Sequence, residues 1–313
     1  MKKTVFFNMN QLGDLLFALP IIKAAKDRGD SYIYSIVPPA LSPILEASGL
    51  IDGFIDKKMP LFKLIKEIKT HHFDKAILFS ESPSSLLAAY FAQIKERIGF
   101  KSASLNFLLT KKALKTGVPS LINNKRLAAA ADLTDIKDDY TDIIKIPQKN
   151  IDEVKIWLAN NGLNPQNSIV FSTGASKKRK NKRLPNEIWV QIINSLSEKG
   201  FSCILSGAPY EKEDMSKLSA MCLKNHPQIF CGQNGILDNA ALLKMCRLFI
   251  GIDSGAMHLS AALSTKCIAL FSKTDPNQVG PMPLQEHIIV KKDDISLFDA
   301  KEIVPQALLA LKQ

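Results

Sequence analysis

The chain has 313 residues, of which 46% are hydrophobic and 23% charged, and its 41 basic and 30 acidic residues give a formal charge of +11. This composition is typical of a folded globular protein, and the length favours two domains of roughly 150 residues. No apolar run approaches the roughly 18 residues that a membrane-spanning helix needs. Polar residues between Asn8 and Asp14 interrupt the apolar N-terminal segment too early for a signal peptide, so we expect a cytoplasmic protein. Its positive charge favours an anionic partner.

Cysteines and histidines give no sign of a metal site. The five cysteines are odd in number, all lie in the second half and include no C-x-x-C pair. His226 and His287 have no carboxylate or cysteine at the spacing of metal ligands. The sequence therefore predicts neither a disulfide framework nor a bound metal, and we expect no cofactor.

The N-terminal half alternates between strand-like and helical patterns. A predicted strand at 4–9 is followed by a turn at 10–14 and an apolar helix, and strands at 32–37, 75–79 and 97–100 alternate with helices at 41–47 and 84–93. This alternation indicates a parallel α/β domain. Asp14 follows Gly13 between a strand and a helix, at the edge where α/β sheets collect ligands. From the residues alone, it is as well suited to cap the helix as to act as a catalytic base.

A short polar connector at 143–152 contains Pro147 and precedes a new helix and a new strand, predicted at 154–163 and 169–172. We therefore predict domains at 1–150 and 151–313. The predicted strand at 169–172 is followed by small hydroxylated residues, including Thr173 and Ser176. Their hydroxyl and backbone N–H groups are suited to bind a phosphate. Six of the seven residues from 177 to 183 are basic. A nucleic-acid partner is the weaker interpretation of this run, because no aromatic stacking residues accompany it.

The segment 248–281 is the most informative part of the chain. It predicts a buried strand at 248–252, a polar turn, a helix, a second strand at 267–271 and a polar loop at Thr274–Pro276. The turn, Asp253 to Gly255, lies at a helix N-terminus, where unpaired N–H groups and the helix dipole favour an anion such as a phosphate. Ser254 and His258 add side-chain donors there.

Three strings within these segments resemble the heptosyltransferase family, bacterial enzymes that pass heptose from ADP-heptose to the growing lipopolysaccharide core. DSGAMHLSAAL followed by LFSKTDP resembles the family's donor-site pattern, NQLGDLLFALP resembles its opening motif, and KRLP at 182–185 resembles the end of its basic loop, with Leu184 in place of the usual Trp. The resemblance implies a GT-B architecture: an α/β fold of two facing Rossmann-like domains with parallel sheets. It also implies that the final helix packs back on the N-terminal domain.

The resemblance also assigns roles to residues. It implies that Asp14 is the catalytic base and that a lysine of the basic loop, Lys182 or in an alternative register Lys180, binds the diphosphate. Glu211 is implied to lie near the ribose, Asp253 to orient the sugar, and the backbone of 231–236 to line the adenine. The remaining predicted donor contacts are Thr173, Ser176, Ser254, Gly255 and His258, and the predicted acceptor contacts are Asn10, Gln11 and Gly13.

The predicted function is an inverting transfer of heptose from ADP-heptose to the lipopolysaccharide inner core, either Kdo-lipid A or an already heptosylated core. The acceptor would be an anionic glycolipid, and the enzyme a peripheral protein at the cytoplasmic face of the inner membrane with no nucleic-acid partner. Two classes remain as alternatives: another glycosyltransferase or a sugar-nucleotide epimerase of the same fold, and an NAD-dependent oxidoreductase. The absence of G-x-G-x-x-G weakens the last of these.

Overall fold

A computed structural model describes residues 2–30, 32–117, 120–174, 183–223, 226–231 and 235–312. The chain divides into two compact units, Met1–Lys145 and Ile146–Gln313. Pro147, in the predicted connector, directly precedes the first helix of the second unit. No helix among the described residues is both long and apolar enough to cross a bilayer.

The first unit is a six-stranded parallel sheet flanked by helices. Its strands are β1 (Lys3–Phe7), β2 (Tyr32–Val37), β3 (Gly53–Asp56), β4 (Lys75–Leu78), β5 (Glu96–Phe100) and β6 (Lys111–Ala113). Its described helices are α1 (Leu12–Asp27), α2 (Ser42–Ser48), α3 (Leu61–His71), α4 (Pro83–Phe91) and α5 (Ser120–Ala130). The strand order is β3-β2-β1-β4-β5-β6, so β1 lies inside the sheet and pairs with β2 and β4.

The core of this unit follows from its apolar runs. Val5, Phe6 and Phe7 are fully buried, as expected of an inner parallel strand covered on both faces. α1 is apolar on all sides from Leu15 onward, and nearly all of its residues from Leu15 to Ala25 are buried. Because all six strands are parallel, their carboxyl ends share one edge of the sheet, and the segment that leads to Asp14 leaves β1 at that edge.

The second unit repeats the same architecture. Its strands are β7 (Ser168–Ser172), β8 (Ser202–Ser206), β9 (Gln228–Phe230), β10 (Leu248–Ile252), β11 (Cys267–Phe271) and β12 (Ile288–Lys291). Its described helices are α6 (Gln148–Asn160), α7 (Asn186–Glu198), α8 (Lys212–Met221), α9 (Ile236–Met245), α10 (Gly255–Ala262), α11 (Pro276–Val279) and α12 (Ala300–Ala310). The order β9-β8-β7-β10-β11-β12 matches that of the first unit, strand for strand.

The register of the second sheet fixes where its polar loops begin. Gly251 of β10 pairs with Ser172 of β7 on one side and with Ala269 of β11 on the other. The residues after these strands therefore leave the sheet side by side at its carboxyl edge. This edge holds Thr173, Asp253 and the loop that contains Thr274.

The last helix, α12, contributes to the core of the second unit. Ile303, Ala307 and Leu311 are buried in the core cluster of the second unit, which also contains Trp189 of α7. The apolar periodicity of α12 accounts for the burial of these side chains in the core of their own unit. Packing of this helix on the N-terminal domain stays a prediction.

Candidate active site

The turn after β10 forms the first part of a candidate site in the second unit. Asp253 and Ser254 follow the strand, and α10 begins at Gly255. Thr274 Oγ1 donates a hydrogen bond to Asp253 Oδ2 at 2.7 Å, and the Asp253 backbone N–H donates to the carbonyl oxygen of Leu270 at 3.1 Å. These contacts hold the carboxylate in one orientation, as a group that positions a sugar hydroxyl requires.

The N-terminus of α10 offers donors for an anion. Ser254 is the N-cap residue, but its side chain does not cap the helix, and its buried hydroxyl has no hydrogen-bond partner among the described residues. The first N–H groups of the helix therefore keep their capacity to bind an anion. His258 lies one turn further along α10 and is only 5% exposed. The structure thus brings the predicted Asp253, Ser254, Gly255 and His258 together.

Glu211 is a buried carboxylate that lies beside the carboxyl ends of β7 and β8. Glu211 is 8% exposed, and its Oε2 accepts a hydrogen bond from the Ala208 N–H at 2.8 Å. Burial raises the pKa of this carboxyl, against the opposing effects of the Ala208 N–H and the Arg183 charge. A Cβ on Gly174 would lie 1.6 Å from Glu211 Oε1, so glycine is required there for the carboxylate to occupy its place. Glu211 can accept hydrogen bonds from a hydroxylated ligand.

Glu211 lines a cavity with both ends of the basic loop. Thr173 and Gly174 precede the loop, Arg183 and Leu184 lie at its end, and all four line this cavity. Arg183 pairs with Asp214 at 2.7 Å, a contact that sequence reasoning missed. The predicted Ser176 and Lys182, and the alternative Lys180, lie outside the described residues, so their roles stay predictions.

The predicted adenine-lining segment is described only in part. Residues 232–234 lie outside the described ranges, whereas Cys231 Sγ donates to the Ala208 carbonyl oxygen at 3.0 Å. This contact places the end of β9 beside the Glu211 loop. A base lining at 231–236 stays a prediction.

Asp14 is the centre of the candidate site in the first unit. It is the third residue of α1, whose N-cap is Gln11, so the structure excludes the interpretation that Asp14 is a simple N-cap. Asp14 lines a cavity with Phe79, Phe100 and Lys115. The other cavity-lining residues are Met9, Phe17, Ser120, Asn123 and Asn124. The predicted acceptor contacts Asn10, Gln11 and Gly13 lie in the same β1–α1 segment.

Two lysines that the sequence analysis missed accompany Asp14. Lys57 follows β3, donates to the carbonyl oxygen of Asn8 and interacts electrostatically with Asp14. Burial lowers the pKa of the Lys57 amine to about 8, although attraction to Asp14 opposes this shift. Lys115 pairs with Glu81, and its Nζ lies 5.4 Å from the centre of the Phe100 ring. The sequence signal for Lys57 is its position directly after β3, at the carboxyl end of a strand.

Asn8 is a further unpredicted feature of this edge. It is fully buried at the end of β1, and neither atom of its side-chain amide has a hydrogen-bond partner within the described part of the chain. A buried amide without partners is costly, which is consistent with a ligand group completing its hydrogen bonds. In the described ranges, no three residues among His, Cys, Asp and Glu come together as a metal-binding group.

Comparison with known proteins agrees with this architecture. Lipooligosaccharide heptosyltransferase 2 of Haemophilus ducreyi is 27% identical over 270 residues, which cover 80% of this chain and 76% of that protein. The structure of Escherichia coli ADP-heptose LPS heptosyltransferase II aligns over 99% of both chains with a TM-score of 0.86 and 18% identity. The E. coli heptosyltransferase WaaC, solved with ADP, aligns over 98% of this chain and 99% of that chain, with a TM-score of 0.77 and 17% identity.

Two Rossmann-type units, each built on a six-stranded parallel sheet, and the alignment with the heptosyltransferase structures confirm the predicted α/β fold class of GT-B type. The model of glycosyltransferase family 9 (heptosyltransferase) matches residues 61–301, most of the chain. The protein belongs to this family. The epimerase and oxidoreductase alternatives are therefore not supported.

Proposed function

We propose that the protein transfers heptose from ADP-heptose to the lipopolysaccharide inner core, either Kdo-lipid A or a heptosylated core, with inversion at the anomeric carbon. Membership of family 9 supports the reaction class. The relatives support the substrates, since one is named an ADP-heptose LPS heptosyltransferase and another was solved with ADP. We assign the acceptor to the first unit and the nucleotide sugar to the second.

Asp14 is the proposed base, and the observation that carries this role is its position at the start of α1, facing a cavity at the edge of the first sheet. The acceptor hydroxyl oxygen attacks C1 of the heptose as the bond between C1 and the diphosphate oxygen breaks. Asp14 takes the hydroxyl proton, and ADP leaves with the bonding electron pair. A single displacement of this kind inverts C1. A positioned base contributes about 10²–10⁴-fold to such a rate.

The second unit stabilises the leaving group. The N–H groups at the start of α10, with the side chains of Ser254 and His258, face the charge that builds on the diphosphate. Lys182, Thr173 and Ser176 are proposed to add donors from the basic loop. Asp253, held by Thr274, orients the sugar, and Glu211 accepts hydrogen bonds from the ribose hydroxyls.

The acceptor is proposed to be an anionic glycolipid at the cytoplasmic face of the inner membrane. The formal charge of +11 favours such a substrate and peripheral contact with an anionic surface.

A screen of donors and acceptors tests this function. Purified protein is incubated with ADP-heptose, ADP-glucose or UDP-glucose, together with Kdo-lipid A or its heptosylated form, and products are identified by mass spectrometry. We expect ADP release only when ADP-heptose and one acceptor are both present. NMR of the product should show the anomeric configuration opposite to that of the donor. Transfer of another sugar, or isomerisation of a sugar nucleotide without an acceptor, would contradict the proposal.

A further inference from the structure

The outer face of α3 carries an aromatic side chain that the fold does not bury. Leu64 and Ile68 face the core of the first unit, and each is at most 5% exposed. Phe62, in contrast, is 79% exposed, and its neighbour Leu61 is 37% exposed. An apolar ring on the polar side of an amphipathic helix contributes little to the stability of the folded chain, so its position calls for a different explanation.

Lysines surround this ring. Phe62, Lys66 and Lys69 are spaced i, i+4 and i+7, so they lie on one face of α3, and Lys58 and Lys63 flank the helix start. All four lysines are exposed, and none of their side chains forms an ion pair or hydrogen bond with a described residue. We refer to Lys58, Leu61, Phe62, Lys63, Lys66 and Lys69 as the α3 surface.

The α3 surface begins close to the proposed base. α3 follows β3, which is parallel to β1, so its first turn lies at the carboxyl edge of the sheet, where α1 also begins. Lys57, the residue before the α3 surface, contacts the Asn8 carbonyl and interacts with Asp14. A partner seated on the first turn of α3 is therefore next to the site where the acceptor hydroxyl is deprotonated.

We propose that the α3 surface docks on an anionic lipid bilayer, with Phe62 entering the headgroup region and the lysines contacting lipid phosphates. This inference rests on the proposed function, because it explains how a membrane-embedded acceptor is presented to Asp14. Lysines around an apolar ring match the chemistry of helices that lie in the membrane interface. A protein partner fits less well, because lysine is depleted in protein–protein interfaces.

Vesicle binding by single-site variants tests the docking directly. Protein is sedimented with phosphatidylcholine vesicles that contain about one-third phosphatidylglycerol, and with pure phosphatidylcholine vesicles. We expect Phe62→Ser to weaken binding to the anionic vesicles roughly tenfold, because the ring no longer enters the interface. Phe107→Ser is the matched control: this ring is 71% exposed in the same unit but lies outside the α3 surface, and its loss should leave binding within about twofold.

A charge-matched pair of variants tests the lysines. Lys66→Gln with Lys69→Gln should weaken binding about tenfold or more, whereas Lys101→Gln with Lys112→Gln, which removes two exposed lysines elsewhere in the unit, should have a clearly smaller effect. Equal losses of vesicle binding in both pairs would mean that binding follows total charge, and the proposed docking through the α3 surface would be wrong. Wild-type protein that does not sediment with anionic vesicles would also overturn it. Self-association of wild-type protein that Phe62→Ser abolishes would assign the surface to a second copy instead.

Activity measurements separate this inference from the proposed function. Phe62→Ser should lose transfer to a vesicle-embedded acceptor but keep wild-type transfer to the same acceptor after its acyl chains are removed. If wild-type protein transfers heptose to neither acceptor, the proposed function fails, while vesicle binding still decides the docking surface. If Phe62→Ser matches wild-type protein on the embedded acceptor and on vesicles, the docking surface fails and the proposed function stands.

Discussion

The carboxyl edges of the two sheets differ in chemistry although their strand order is the same. In the first unit, Asp14 lies beside the aromatic rings of Phe79 and Phe100 and the charged Lys115. In the second unit, the corresponding edge has small residues, such as Gly174 and Ser254, and the open end of α10. Large side chains enclose a cavity around a carboxylate, whereas small residues let the backbone approach a ligand. This difference supports the proposed division of one scaffold between a proton acceptor in the first unit and an anion site in the second.

Removing the carboxylate from the first unit is the strongest test of this division. Asp14→Asn should lower the transfer rate at least about 100-fold, because the amide cannot take the acceptor proton. ADP affinity, measured by calorimetry, should stay at the wild-type value because the nucleotide is proposed to bind the other unit. Asp27→Asn, at the exposed end of the same helix, is the control and should leave the rate near wild type. A tenth of wild-type activity retained by Asp14→Asn would rule out the general base.

Substitutions in the basic loop should lower ADP affinity, which Asp14→Asn leaves unchanged. Lys182→Ala is expected to weaken ADP binding roughly ten- to hundredfold, the cost of a charge-assisted hydrogen bond to the diphosphate. The loss should persist at about 0.5 M salt, where exposed charges are screened.

Lys177→Ala serves as the control for this loop and should show a small effect that high salt removes. A persistent loss in Lys180→Ala in place of Lys182→Ala would move the phosphate contact by two residues along the sequence. If all three variants lose the same ADP affinity and high salt restores it, the basic loop is only a solvated patch of charge. The contrast between the two units would then lose its support.

Adding one methyl group tests whether the second unit needs small residues. A Cβ at Gly174 would lie 1.6 Å from Glu211 Oε1, so Gly174→Ala must displace this carboxylate. We expect about a tenfold loss of ADP affinity and a destabilisation of roughly 1–3 kcal/mol. In Gly117→Ala, the added Cβ meets no heavy atom of the described residues within 4 Å, chain neighbours aside, so ADP affinity should not change. Unchanged ADP affinity in Gly174→Ala would remove Glu211 from the donor site.

The sequence predicted local features of the fold best. The predicted strands at 248–252 and 267–271 coincide with β10 and β11, because buried parallel strands are continuous apolar runs that end at polar turns. β3 and β6 were missed because they are short edge strands that are partly exposed, so they lack such a run. Lys57 was missed with β3, since its place in the site follows from the end of that strand.

Long-range contacts are the part of the candidate site that the sequence could not predict. Lys115 reaches the Asp14 cavity because Glu81 and Phe100, both distant in sequence, hold its side chain, and no local pattern encodes such a contact. Leu184, which replaces the family's usual Trp, is 5% exposed and packs in the core of the second unit. Its burial explains why the residue at this position is apolar.

The smallest predicted effect concerns the charge next to Asp14. Burial lowers the pKa of the Lys57 amine to about 8 from 10.5, so the folded chain releases this proton before the unfolded chain does. Between these two pH values the unfolded state binds more protons, and stability must rise with pH. Below about pH 8, both states are protonated and the unfavourable burial of the charge is fully present.

The free energy of unfolding of wild-type protein, relative to Lys57→Met, should therefore increase from pH 8 to 10 by on the order of 1 kcal/mol, after allowance for partial exposure. Urea denaturation at several pH values measures this difference, in which the titration of all other groups cancels. Lys58→Met, which removes an exposed lysine beside it, is the control, and wild-type protein should show no such rise relative to this variant. An equal rise relative to Lys58→Met, or no rise relative to Lys57→Met, would show that no buried charge adjoins Asp14.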